Sequence, residues 1–178
     1  MSVKIEVCRV FAAEPAVVWA RIARIEDHSV WMKDAVRIEP RAVPRRDVGD
    51  EFDCLTRVGP FSTNDRFTVT EWAPPAVMGI DHVGAVKGTA RFVLEPAGDN
   101  ANATRFCWRE SLTFPWWMGG ALGGSVAKHL LARIWRANLV RLQRLVEAPE
   151  PSVREAGIPP SSEAGPQRPG AGGAESGE

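Results

Sequence analysis

The sequence predicts an α+β domain: a curved antiparallel sheet of about seven strands, two short helices early in the chain, and a long C-terminal helix lying across the sheet. Three observations predict it. Between Val36 and Phe114 come at least six β-like runs separated by tight turn signals, and strands joined that closely make an antiparallel meander. Ala121 to Val146 has no proline and holds its interior glycines near its start, which predicts a helix roughly 39 Å long. That helix carries an apolar stripe, and the concave sheet is the large surface available to cover it.

The elements follow in order. Val3 to Phe11 alternates as a strand does. Glu14-Pro15 opens a helix, with proline in the first turn where its missing N–H is harmless, and Val17, Val18, Ala20 and Ile22 carry it on. Glu26 to Lys33 makes a second short helix. The strand runs fall at about 36–43, 50–58, 63–72, 77–84, 86–95 and 104–114, punctuated by Asp47-Val-Gly, Gly59-Pro60, Pro74-Pro75 and Gly98-Asp-Asn. On the last helix Ala127, Leu131, Ile134, Trp135, Leu142 and Leu145 project to one face, with Arg133, Arg136, Arg144 and Glu147 opposite.

Composition narrows the function. The chain has 178 residues, with 22 basic against 22 acidic side chains, so no field of Lys and Arg tracks nucleic-acid phosphate. After Glu147, 12 of the last 31 residues are Gly or Pro, a composition that cannot offset its ordering entropy. Residues 1–147 are therefore expected to form the domain and 148–178 a disordered tail. The longest uncharged stretch, Ser111 to Ala127, is broken by Pro115 and four glycines, so no transmembrane segment is expected. The N-terminus interleaves charges without a continuous apolar segment, and a cytoplasmic location is expected. Cys8, Cys54 and Cys107 are odd in number, far apart and without a C-x-x-C pair, which predicts three reduced, mostly buried thiols.

A family pattern runs through these elements. Phe11-Ala-Ala-Glu-Pro-Ala-Val-Val-Trp19, Ile25-Glu-Asp-His-Ser-Val-Trp31, Gly49-Asp-Glu-Phe52, Thr104-Arg-Phe-Cys-Trp-Arg-Glu110 and the Gly-rich approach to the last helix resemble the START-like superfamily (SRPBCC). That superfamily includes polyketide cyclases and dehydrases and the plant Bet v 1 proteins. The resemblance covers nearly all of residues 1–147. It implies a helix-grip fold with a tunnel or cavity for an apolar small molecule, and it carries no shared catalytic signature.

The residues themselves suggest where chemistry could sit. On the last strand one alternation gives Phe106, Trp108, Glu110, Leu112 and Phe114, the inward face. Glu110 there is surrounded by apolar side chains, where desolvation raises a carboxyl pKa; it is either a general acid or base or a buried strut. Asn138 sits within the helix's apolar stripe, where an amide needs partners, either on a ligand or within the structure. His82 alternates with Met78 and Ile80 toward the interior, His28 lies near Trp31, and His129 projects outward. With no H-x-x-H spacing, neither metal nor cofactor is expected. Gly119-Gly-Ala-Leu-Gly-Gly-Ser125 lacks the lysine of a phosphate loop and reads as a hinge. Trp116-Trp117 at the cavity mouth either packs over the sheet end or makes transient membrane-surface contact.

The expected function is binding of an apolar or amphipathic small molecule (lipid, quinone or polyketide-like) by Trp31, Phe67, His82, Phe92, Trp108, Glu110, Leu131, Ile134 and Asn138. The alternative is a polyketide cyclase/dehydrase-type enzyme in which Glu110 and His82 move protons. Oligomeric state is left open.

Overall fold

The computed structural model describes residues 2–114 and 120–148. The chain divides at Ala148/Pro149 into two units, and the predicted tail lies outside the described residues.

The first unit opens with strand β1 (Val3–Phe11), helix α1 (Pro15–Ile22) and a short 3₁₀ helix (Ile25–Val30). Six strands follow: β2 (Ala35–Pro40), β3 (Glu51–Val58), β4 (Phe61–Ala73), β5 (Val77–Val83), β6 (Lys87–Ala97) and β7 (Asn100–Thr113). Helix α2 (Gly120–Glu147) closes the unit. All seven strands belong to one antiparallel sheet in the order β1-β7-β6-β5-β4-β3-β2. The first and last strands are therefore neighbours, and the chain crosses to the far edge through α1 and the 3₁₀ helix. This is the expected helix-grip arrangement.

Local chemistry explains the boundaries. Pro15 occupies the first turn of α1, where an N–H would have no helical partner. The expected second helix stops at Val30: Trp31 caps it with its N–H on His28 O (3.1 Å), and Lys33 N–H donates to the Asn138 side chain (3.2 Å) instead of to a helical carbonyl. The β6–β7 hairpin turns at Gly98, whose φ of 64° is one that glycine adopts without steric cost.

Helix α2 buries Ala132, Trp135, Asn138, Leu139, Leu142 and Val146, and its arginines at 133, 136 and 144 are exposed. The predicted stripe is rotated slightly. Leu145 is 36% exposed while Val146 is buried, because the helix contacts the sheet along the line through Leu139 and Val146. Its C-terminal end is tied to β1: Glu147 Oε1 accepts from Ala12 N–H (2.7 Å) and Gln143 Nε2 donates to Val10 O (3.3 Å).

The cysteines correct the sequence expectation. Cys8 and Cys107 face each other in the β1–β7 register and form a disulfide across 99 residues of sequence. Only the strand pairing brings them together, and no spacing in the sequence reports it. Cys54 remains a buried thiol.

Candidate functional site

The inward-facing residues of the curved sheet form rows that cross the strands. Glu110 on β7, Ala90 on β6, Ile80 on β5 and Val69 on β4 stand in one row. Leu112, Gly88, His82 and Phe67 form the next. Farther toward the β2 edge, Cys54 pairs with Asp65 and Thr56 with Thr63. The centre of this wall is made of small residues. A Cβ on Gly88 would fall 2.0 Å from Ser111 O, so the β6 backbone lies where no side chain fits, and Ala90 adds a single methyl. Beneath the α2 residues Ala127, Leu130, Leu131 and Trp135, a cavity of about 490 Å³ remains. Its walls are mostly apolar, with a few polar groups, the usual make-up of a small-molecule site.

Glu110 sits at the inner end. It is 8% exposed, and its Oε1 accepts from the Trp108 indole Nε1–H at 2.6 Å. Trp108 is held in turn by stacking on Trp135, with ring centroids 4.8 Å apart and planes 14° from parallel. Burial pushes the Glu110 carboxyl up to about 8; the Trp108 bond works against the rise and the Asp34 charge adds to it. Glu110 is thus mainly a neutral acid at pH 7, able to donate a proton or a hydrogen bond.

The two histidines on the wall are neutral. His28 is buried, and its Nε2 lies 2.7 Å from Ile22 O; a carbonyl only accepts, so Nε2 carries the proton. Burial lowers its pKa to about 4. His82 lies against Phe67, centroids 4.3 Å apart, and burial also takes it to about 4 against the pull of Asp65 and Asp81. The Cys54 thiol is pushed up to about 11, first by burial and further by Asp34, Asp65 and Glu110. It is a thiol at neutral pH, not a nucleophile.

Of the nine residues expected on the wall, Phe67, His82, Phe92, Trp108, Glu110 and Leu131 line it. Three do not. Trp31 is 2% exposed behind the wall, its ring 6.0 Å from Trp108, and its buried Nε1 has no hydrogen-bond partner. Ile134 packs against the core beside the cavity. Asn138 is fully buried and bonded within the structure: its Nδ2 donates to Asp34 Oδ1 (2.6 Å), and its Oδ1 accepts from Lys33 N–H (3.2 Å) and Arg141 Nη1 (3.0 Å). The amide links helix α2 to the segment before β2. Asp34, Asp65, Cys54 and His28 line the cavity without having been expected there. Asp65 was within reach, since it lies two residues before inward Phe67 on the same strand; Asp34 sits in an irregular segment with no periodicity to place it.

Trp116 and Trp117 lie outside the described residues, as does Gly119 at the head of the glycine-rich run, so the hinge and mouth expectations are not addressed. Among the described residues, Glu6, Cys8 and Cys107 are the one trio of metal-capable side chains brought together, and two of its three members are joined as the disulfide.

A family profile described as polyketide cyclase / dehydrase and lipid transport matches residues 2–147. The chain belongs to that family. No curated protein sequence matches it. Solved structures of the same fold include a START superfamily protein from Mycobacterium smegmatis, at TM-score 0.68 and 14% identity, covering 82% of this chain and 97% of that one. The Zhui aromatase/cyclase from Streptomyces sp. R1128 aligns at TM-score 0.65 and 14% identity over 83% and 94%. A Thermus thermophilus protein aligns at 0.67 and 17% over 80% and 96%. At such identities the likeness establishes the fold, and the family description spans both catalysis and transport. Among the described residues, no helix is long and apolar enough to cross a membrane.

Proposed function

We propose that this member of the family encloses an apolar or amphipathic small molecule between the sheet and α2. The observation that carries this reading is the cavity of about 490 Å³, apolar on most of its wall and reaching inward to Glu110. Phe67, His82, Phe92, Trp108, Glu110 and Leu131 are the proposed contacts. Trp108 and Trp135 border the cavity, so tryptophan emission should respond to filling. Titration of the full chain with long-chain alcohols, sterols, quinones and aromatic polyketides should give saturable changes for at least one class, abolished by Ala90→Leu. Absence of saturable binding to every class defeats the reading.

A second reading, a cyclase/dehydrase-type enzyme, draws on one specific observation: a buried, mainly protonated Glu110 oriented by an indole N–H. A carboxylic acid held neutral at pH 7 is what acid catalysis on a carbonyl needs. His82 has a depressed pKa and would serve only as a neutral acceptor. Glu110→Gln should then remove turnover of a poly-carbonyl substrate while neutral-ligand binding stays within a few fold. Turnover that survives the substitution rules out this role.

The compartment is open to the same kind of test. The Cys8–Cys107 bridge is of a kind that oxidising compartments favour, against the expected cytoplasmic location. Thiol counting by mass spectrometry on freshly lysed cells distinguishes them: three free thiols support the cytoplasm and one supports the other.

A further inference from the structure

Among its described residues, the cavity wall carries acids and no permanent cation. Asp34, Asp65 and Glu110 line it, and among the described residues no Lys or Arg does. The three acids come from different elements: the segment before β2, the first half of β4, and the C-terminal half of β7. Their charges all reach the Cys54 thiol on β3, so they surround one region of the wall.

Both aspartates are held by neutral donors. Asp34 Oδ1 accepts from the Asn138 amide (2.6 Å). The Arg141 guanidinium bonds the far side of that amide (3.0 Å), which leaves Asn138 between the cation and Asp34. Asp65 is 5% exposed and its Oδ1 accepts from Ala85 N–H (2.7 Å). The fit is tight, since a Cβ on Gly84 would fall 1.9 Å from that oxygen. His28 and His82, the wall's two bases, are kept neutral by burial and offer an anion no charge.

We propose that the cavity selects uncharged ligands, offering them the Glu110 carboxyl as a hydrogen-bond donor to a carbonyl or hydroxyl oxygen, and rejects carboxylates. The proposal rests on the ligand-binding reading above and names the ligand class. A carboxylate entering this space loses its hydration, finds no cation, and meets three acids. It would bind mainly as its protonated form. For a carboxyl with an ordinary pKa near 4.5, that requirement lowers apparent affinity at pH 7 on the order of a hundredfold, at tenfold per pH unit. A neutral alcohol or ketone meets no such barrier, and with Glu110 Oε1 occupied by the Trp108 indole, Oε2 is left to carry the proton toward it.

The test uses three ligands that share one apolar body: pyrene-1-butanol, pyrene-1-butyrate and pyrene-1-butylamine, titrated into the full chain at pH 7 and read by energy transfer from tryptophan. The alcohol should bind at least thirtyfold more tightly than the butyrate. At pH 5, where the butyrate begins to protonate, the ratio should fall below tenfold. Asp65→Asn should narrow the pH 7 ratio severalfold. Butyrate binding within threefold of the alcohol at pH 7 overturns the charge selection and leaves the binding cavity standing. An amine that outbinds the alcohol overturns the choice of an uncharged ligand. Failure of all three to bind counts against the cavity reading itself.

Discussion

Along β7, Phe106 stands in a solid aromatic stack, whereas Glu110, two inward positions further on, faces a cavity. The packed region joins Phe11 to Phe106 (centroids 5.9 Å), Phe106 to Phe92 (5.2 Å), Phe92 to Trp108 (5.2 Å) and Trp108 to Trp135 (4.8 Å). The hollow region is built from the same strands and the same helix. The difference lies in residue size: beside the aromatics that border it, the cavity wall has only Ala90 on β6 and Ala127 on α2 at positions where larger side chains would fill it. The aromatic region holds helix and sheet together, so the other region can stay open without the helix collapsing onto it. Stability and function are thereby assigned to different stretches of the same elements, and substitutions should separate them.

The largest expected effect is on the packed side. Phe106→Ala removes a ring that is fully buried and should lower unfolding free energy by about 3–5 kcal/mol in urea titrations. Ala90→Leu on the hollow side should leave stability within about 1 kcal/mol, because the added atoms enter existing space, while ligand binding is lost. If the two substitutions cost the same, the division fails. Next in size is the Cys8–Cys107 bridge, which closes a loop of 99 residues. Reduction should lower stability by about 2–4 kcal/mol, and Cys8→Ser should abolish the sensitivity to reductant. A third, smaller effect probes the link between the regions. Asn138→Ala leaves Asp34 Oδ1 and Lys33 N–H without their partner and should cost about 1–3 kcal/mol; a neutral result would mean that Asp34 is not tied to the helix in solution.

How much of this was legible in the sequence follows from the range of each signal. The inward face of β7 could be read because a strand's side chains alternate with period two, and Phe106, Trp108 and Leu112 fix the phase on both sides of Glu110. The stripe of α2 could be read to within part of a turn, with Leu145 misplaced by the choice of centre. Asn138 could be recognised as an anomaly, but its partner could not, since Asp34 lies 104 residues away in sequence in a segment without periodicity. The disulfide is the extreme case: it depends on a β1–β7 register that closes only when the whole sheet forms. Wall and core were also hard to separate, because Trp31 and Phe92 look alike in sequence and only the packed structure shows which of them reaches the cavity.

The smallest effect expected is also the most specific to the hollow region. Glu110 has a folded pKa of about 8, above the unfolded value near 4.3. Its contribution to stability is therefore full below about pH 4.3 and is lost as pH rises through 8. His28 and His82, lowered to about 4, act oppositely: their contribution is present above 6.5 and is lost as pH falls toward 4. Above about pH 7 the histidines are mostly neutral in both states, and the Cys54 thiol, raised to about 11, has yet to titrate. Glu110 alone of these four groups sets the slope there, close to 1 kcal/mol lost between pH 7 and pH 8. Urea titrations at pH 7.0, 7.5 and 8.0 should show that decline in the native chain and little change in Glu110→Gln, with the acid limb at lower pH retained in both. Trp108→Phe sharpens the test, because losing the indole donor removes an interaction that favours the carboxylate and should steepen the decline above pH 8. Equal slopes in the native chain and Glu110→Gln would place the Glu110 carboxyl in contact with water, and the hollow region would lose its acid.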